Sequence, residues 1–177
     1  MRLILVFVLT LASFVTAAAC PPLLDVKLPT LIEGAASLCQ YEGKVLLVVN
    51  TASQCGYTPQ YKGLEALHRR YKDKGLVVIG FPSNDFSQEQ GSDKEIASFC
   101  EINYGVSFPM FAKSAVAKGP INPFYERLAK ASNSRPGWNF HKYLVDRKGE
   151  KVLTYESAVT PSDARLVKDI ERLLAQR

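Results

Sequence analysis

The chain has 177 residues, of which 47% are hydrophobic and 22% charged, and its formal net charge is +5. This composition excludes a disordered chain and a coiled coil, and the length predicts one globular domain. The basic side chains are scattered and no aromatic set is interleaved with them. We therefore expect a solvated basic surface and no nucleic-acid partner.

The first 19 residues have the pattern of an export signal. One arginine follows Met1, residues 3–15 are almost wholly apolar, and three alanines precede Cys20. This order is typical of a cleaved signal peptide, and the apolar run is short for a membrane span, which needs about 20 residues. We predict a signal peptide over residues 1–19 and a domain over residues 20–177 that is periplasmic or secreted.

Cysteine usage agrees with export, since an even number of cysteines outside the cytosol permits disulfides. We predict a structural disulfide between Cys20 and Cys39, which flank a predicted hairpin. The alternative is a bacterial lipoprotein, in which lipid on Cys20 would exclude that disulfide. No C-x-x-C pair is present, and we interpret His68 and His141 as surface or edge residues, so we expect no metal site and no cofactor.

Apolar runs, helical spacing and turn residues predict the following elements in chain order. They are a hairpin over 23–28 and 37–41, a strand over 44–50, a helix over 58–74, a strand over 76–81, helices over 92–104 and 123–131, strands over 140–145 and 151–155, and a helix over 162–176. The runs KVLLVVN and LVVIGF suit parallel strands buried on both faces. The order predicts an α/β, thioredoxin-like fold, with a mixed four-stranded sheet flanked by helices.

Cys55 is the strongest candidate for a reactive side chain. It lies between a buried strand and a helix, at the sheet edge where α/β proteins gather reactive groups. Unpaired amides and the dipole of a helix N-terminus favour the thiolate, which is the nucleophile. A lone cysteine is also commonly buried and inert, so its position leaves both interpretations open.

Four segments of the chain carry a family pattern. They are GKVLLVVNTASQCGYTPQY (43–61), GLVVIGFPSNDFSQEQGS (75–92), SFCEINYGVSFPMF (98–111) and WNFHKYLVDRKGE (138–150). In these segments, and over nearly all of the predicted mature domain, the chain resembles the glutathione peroxidase family in its cysteine-containing, non-selenium type. The resemblance implies a thiol peroxidase that reduces hydrogen peroxide and organic or lipid hydroperoxides.

The resemblance also implies roles for four active-site residues. Cys55 matches the peroxidatic position, Gln88 matches a glutamine that precedes glutamate, and Trp138 and Asn139 match a Trp-Asn pair. The two amides and the indole N–H are hydrogen-bond donors. Donors that converge on sulfur would stabilise the thiolate and the negative charge that develops on the departing oxygen.

Cys100 matches the resolving cysteine of thioredoxin-dependent members. Peroxide would convert Cys55 to a sulfenic acid, which condenses with Cys100 to a disulfide, and a thioredoxin-like protein or glutathione would reduce that disulfide by exchange. Alternatively, Cys100 is a packing residue and glutathione resolves Cys55 directly. The other functions considered are a peroxide sensor and a thiol–disulfide exchange factor, although Thr58 stands where a C-x-x-C motif has its second cysteine.

The chain departs from the family pattern after its second buried strand. Ser83 stands where many members have cysteine, and the following loop is about one residue shorter, which makes Gln90 the alternative to Gln88. A carboxylate would raise the pKa of a neighbouring thiol, so we expect Asp85 to point away from Cys55. The insertion that tetrameric members use for subunit contacts is absent before Trp138, which predicts a monomer.

Overall fold

The computed structural model describes residues 20–32 and 34–176, so the predicted signal peptide over residues 1–19 lies outside the described residues. The described strands are β1 (Lys27–Pro29), β2 (Ala35–Ser37), β3 (Val45–Thr51), β4 (Leu76–Pro82), β5 (Lys142–Val145) and β6 (Val152–Tyr155). The described α-helices are α1 (Gln60–Tyr71), α2 (Asp93–Tyr104), α3 (Pro123–Ser132) and α4 (Ala164–Ala175).

Strands β3 to β6 form one mixed sheet in the order β4-β3-β5-β6. Strand β3 pairs in parallel with β4 and antiparallel with β5, and β5 pairs antiparallel with β6. All seven residues of β3 are buried, as a continuous apolar run requires of a central strand covered on both faces. The predicted thioredoxin-like α/β fold is confirmed.

The two faces of the sheet carry separate core clusters, because successive side chains of a strand point to opposite faces. On β3, Val45, Leu47 and Val49 face a cluster that also contains side chains of α1, α2 and α4. Leu46 and Val48 face a second cluster, which α3 and the N-terminal segment complete. Both free cysteines, Cys55 and Cys100, belong to the first cluster.

Local signals fix both ends of α2. The Ser92 side chain accepts from the Glu95 amide, and the Glu95 carboxylate accepts from the Ser92 amide, which together form a capping box. Gly105 ends the helix at φ 59°, in the left-handed region that suits glycine. Helix α1, in contrast, begins at Gln60 and not at Thr58, because the residues before it form tight turns.

The N-terminal hairpin is shorter than predicted. Strands β1 and β2 pair over three residues each, and the prediction of a strand over 37–41 is wrong. Residues Leu38–Tyr41 instead form a 3₁₀ helix, because the Ser37 side chain accepts from the Cys39 amide and caps it. Cys39 in this turn is joined by a disulfide to Cys20, with 5.5 Å between their Cα atoms.

The interpretation of His141 as a surface or edge residue is also wrong. Its side chain is 4% exposed and packs against the Tyr143 ring at 4.8 Å. The residue enters β5, which has a neighbouring strand on each side and is therefore buried. Desolvation is the main cause that lowers the pKa of His141, to about 4.

None of the helices in the described part of the chain is both long and apolar enough to cross a membrane.

Candidate active site

Cys55 lies in the irregular segment between β3 and α1, which we call the Cys55 turn (residues 52–59). Thr58 organises this turn, because its hydroxyl accepts from the Cys55 amide at 3.0 Å and donates to the Ala52 carbonyl at 2.8 Å. The Thr58 amide also donates to the Cys55 carbonyl at 3.0 Å. Two of these hydrogen bonds hold the backbone of Cys55 itself, and the third ties Thr58 to Ala52 at the start of the turn.

The Cys55 side chain is a free thiol that is 8% exposed. Its sulfur accepts a hydrogen bond from the Tyr57 amide, with 3.4 Å between nitrogen and sulfur. An N–H donor in this position can stabilise negative charge on sulfur. Because α1 begins only at Gln60, this donor belongs to the turn and not to the helix N-terminus that the sequence suggested.

Gln88 and Asn139 meet although 51 residues separate them in the chain. Asn139 Nδ2 donates to Gln88 Oε1 at 2.9 Å, and the Gln88 carbonyl accepts from the Gln54 amide at 3.1 Å. The loop that follows β4 is thus bonded directly to the residue before Cys55. Gln90, the alternative in the shortened loop, is exposed.

Trp138 lies at the rim of the same region, with 43% of its surface exposed. Its ring packs against Phe86 with 5.2 Å between centroids, and its carbonyl accepts from Asn50 Nδ2 at 3.1 Å. An open cleft of about 470 Å³ adjoins Trp138, and its lining includes Tyr57 and His141. The cleft adjoins the Cys55 turn through Tyr57.

Asp85 points away from the Cys55 turn, as its chemistry led us to expect. Its Oδ2 atom accepts hydrogen bonds from the amides of Val116, Ala117 and Lys118, at 2.7, 2.6 and 3.2 Å. The carboxylate is therefore satisfied by the loop that precedes α3. This arrangement fixes the neighbouring Phe86, on which Trp138 packs.

Cys100 lies within α2 and is 2% exposed. Burial is the main cause that raises the pKa of its thiol to about 11, with the Tyr61 hydroxyl opposing this rise and the Glu89 carboxylate adding to it. In this state Cys100 is protonated at neutral pH. A thiol is a poor nucleophile, so Cys100 is unreactive while it is buried in α2.

Sequence reasoning missed several buried polar residues near this site. Glu89 is buried and accepts from the Ser53 hydroxyl at 2.9 Å, and burial is the main cause that raises the pKa of its carboxyl. Lys142 is fully buried at the start of β5. Both residues lie inside the segments that carry the family pattern, which was the only available signal.

The comparisons with known proteins identify the family. The sequence profile described as glutathione peroxidase matches residues 27–129. The glutathione peroxidase-like peroxiredoxin gpx1 of Schizosaccharomyces pombe is 51% identical over 138 residues, covering 75% of this chain and 86% of that protein. The hydroperoxy fatty acid reductase gpx1 of Synechocystis is 47% identical over 152 residues, covering 78% and 87%.

Solved structures agree with the sequence relatives. The crystal structure of T. cruzi GPX1 matches with a TM-score of 0.67 and 28% identity, covering 86% of this chain and 95% of that chain. MTB dsbF matches with a TM-score of 0.63 but only 12% identity, which supports a shared fold alone. The fold is of the thioredoxin-like class, and the Cys55 turn places a free thiol at the edge of its sheet. Within that class, the chain belongs to the glutathione peroxidase family and is a peroxidase.

Proposed function

We propose that the protein reduces hydrogen peroxide and organic or lipid hydroperoxides with Cys55 as the attacking sulfur. The observation that carries this proposal is the free Cys55 thiol, whose sulfur accepts the Tyr57 amide in a turn bonded to Gln88. As the S–O bond forms, the O–O bond breaks and sulfur loses two electrons. The departing hydroxide or alkoxide takes up a proton, and Cys55 is left as a sulfenic acid.

Gln88, Asn139 and Trp138 complete the site in this proposal. The bond from Asn139 to the Gln88 oxygen fixes the orientation of both amides, so that an N–H group of Gln88 is left to donate. Preorganised donors of this kind stabilise the charge that develops on a departing oxygen. The half-exposed indole of Trp138 offers a further N–H at the rim of the cleft.

Cys100 is the resolving thiol in the second step of the proposal. Its sulfur displaces hydroxide from the Cys55 sulfenic acid, an S–S bond forms, and water leaves. Burial raises the pKa of the Cys100 thiol to about 11, so this step requires α2 to open and admit water around the sulfur. Opening of the helix and the second chemical step are therefore coupled.

A thioredoxin-like protein suits the third step, in which the Cys55–Cys100 disulfide is reduced. An open groove of about 490 Å³ is lined by Cys100, Ile32 and Met110, and Ile32 is 81% exposed. An apolar surface beside the reducible sulfur favours a protein dithiol over glutathione, which is charged. Exchange then leaves two thiols on this chain and a disulfide on the reductant.

The test is peroxide consumption by residues 20–177, with a thioredoxin system or glutathione as the reductant. We expect Cys55→Ser to abolish consumption, and Cys100→Ser to allow one oxidation but no turnover with thioredoxin. A Cys55→Ser protein as active as its parent would refute the proposal. Oxidation of the parent by peroxide without turnover on any reductant would favour the peroxide sensor instead.

We also propose that the domain is exported after removal of residues 1–19 and acts as a monomer in the periplasm or outside the cell. The disulfide between Cys20 and Cys39 supports export, because disulfides persist in oxidising compartments. Mass spectrometry of non-reduced peptides from the cell-derived protein tests this. A Cys20–Cys39 peptide pair is expected, whereas a diacylglycerol group on Cys20 would establish the lipoprotein alternative.

A further inference from the structure

Lys142 is a buried lysine that the proposed peroxidase chemistry does not use, and burial lowers its pKa to about 7. Its side chain is fully buried at the start of β5. Among the described residues, no carboxylate lies within 4 Å of its ammonium group. A buried charge is costly unless it is paired or hydrogen-bonded, so its contacts should indicate what it does.

The polar contact of Lys142 is with a carbonyl in the motif that carries Trp138 and Asn139. Lys142 Nζ donates to the Phe140 carbonyl oxygen at 2.6 Å. Phe140 has φ 62°, in the left-handed region that a bulky residue rarely adopts. Such a conformation persists only where the surroundings enforce it, and the hydrogen bond from Lys142 fixes the carbonyl of that residue.

The same stretch, which we call the 138–142 segment, is fixed at two further points by Asn50 of β3. Asn50 Nδ2 donates to the Trp138 carbonyl at 3.1 Å, and the Phe140 amide donates to the Asn50 carbonyl at 2.7 Å. Asn50 thus holds the backbone on the N-terminal side of Phe140, and Lys142 holds the carbonyl on its C-terminal side. Between these anchors, Asn139 reaches Gln88.

We propose that Lys142 is a positioning residue of the peroxidase site, which holds the left-handed turn at Phe140 so that Trp138 and Asn139 are presented beside the Cys55 turn. This role rests on the proposed function of Trp138 and Asn139. Lys142 acts through the backbone of Phe140 and takes no part in the chemistry. The hydrogen bond persists in either protonation state, because both ammonium and amine donate N–H.

Packing alone does not explain a lysine at this position. A methionine of similar length would fill the same space, and replacement of a buried charge by an apolar side chain is often neutral or stabilising. The hydrogen bond to the Phe140 carbonyl is what a methionine cannot supply. A positioning role therefore predicts that stability and activity respond to Lys142→Met in different directions.

The test compares Lys142→Met with Leu144→Ala, because Leu144 lies two residues along the same buried strand and its apolar side chain donates no hydrogen bond. Three quantities are measured: thermal stability, the rate of Cys55 oxidation by peroxide, and the fluorescence of Trp138, the single tryptophan of the chain. For Lys142→Met we expect unchanged or higher stability, oxidation slowed by about tenfold to a hundredfold, and stronger quenching of Trp138 by acrylamide. For Leu144→Ala we expect lower stability with the parent's fluorescence and oxidation rate.

Lys142→Gln is the second variant if Lys142→Met does not fold, since its amide is polar but too short to reach the Phe140 carbonyl in the same way. The same slowing and the same change in quenching are expected. Parental fluorescence and an oxidation rate within twofold of the parent in these variants would overturn the positioning role. A parent protein that does not react with peroxide would instead refute the proposed function, while the fluorescence comparison would still report on the anchor.

Discussion

The two free cysteines lie in the same core cluster but in opposite kinds of structure. Cys55 sits in an irregular turn at the sheet edge, where backbone hydrogen bonds hold it and an amide contacts its sulfur. Cys100 sits inside a regular helix, where burial raises the pKa of its thiol to about 11. In the proposed cycle, the sulfur that reacts first is preorganised, and the sulfur that reacts second is withheld until its helix opens.

The largest expected effect comes from a variant that disturbs the preorganised site around Cys55. Asn139→Ala deletes the donor to Gln88 Oε1, so the Gln88 amide loses its fixed orientation. Gln88 keeps its own N–H donor, and misplacement of a catalytic group by about 1 Å slows a reaction by about 10²-fold. We expect the rate of Cys55 oxidation in stopped-flow measurements to fall by that factor.

Asn133→Ala is the control for loss of an asparagine outside the site, because Asn133 is exposed. Its φ of 52° makes alanine unfavourable there, so this control also shows whether lower stability alone slows oxidation. It should leave oxidation of Cys55 unchanged. An Asn139→Ala protein that reacts with peroxide as fast as its parent would show that the Gln88–Asn139 pair does not stabilise the transition state.

The next largest effect concerns the reactivity of the Cys100 thiol, which burial in α2 suppresses. In Cys55→Ser protein, alkylation of Cys100 should accelerate about tenfold per pH unit from pH 7 to pH 9.5, without a plateau, because the thiolate fraction keeps growing below a pKa of about 11. Iodoacetamide labelling followed by mass spectrometry gives this rate. A plateau near pH 8.5 would mean that Cys100 behaves as an exposed thiol.

The smallest expected effect concerns the hydrogen bonds that tie the residues just after α2 to α1. Glu65 of α1 is buried and accepts from the amide and hydroxyl of Ser107, at 2.8 and 2.6 Å, and its partner Arg69 donates to the Gly105 carbonyl. Glu65→Gln weakens these charged hydrogen bonds, and we expect stability to fall by about 1 kcal/mol. Formation of the Cys55–Cys100 disulfide should accelerate by up to about tenfold in quenched-flow experiments, because the helix opens more readily.

Glu171→Gln is the control, because it also removes a carboxylate that bonds to α1 but lies in a different helix, α4. Glu171 accepts from the Tyr71 hydroxyl and ties α1 to α4, not to α2. It should leave the rate of disulfide formation unchanged. If Glu65→Gln and Glu171→Gln behave alike, the Glu65 contact does not govern the opening of α2.

The regular elements of this fold could be predicted because their signals are local. The apolar run of β3 and the Ser92–Glu95 capping box each specify their own conformation. The 3₁₀ turn at Leu38–Tyr41 was missed because it depends on one side-chain cap. The burial of His141 was missed because it depends on the order of strands in the sheet, which no local pattern encodes.

The candidate site divides in the same way. Position made Cys55 the strongest candidate but left an inert buried cysteine open. Only the family resemblance placed Gln88 and Asn139 in one site, and their hydrogen bond across 51 residues was not predicted. The roles of Glu65 and Lys142 depend on long-range contacts with Ser107 and on the left-handed backbone at Phe140. Neither contact has a signature in the sequence.

The most direct test of the account is to oxidise the domain with one equivalent of peroxide and map its disulfides. After remaining thiols are blocked, mass spectrometry of non-reduced peptides should find Cys55 linked to Cys100, with the Cys20–Cys39 disulfide intact. Cys55 recovered as a blocked thiol, or oxidised Cys55 beside a blocked Cys100 thiol, would contradict the two-cysteine mechanism.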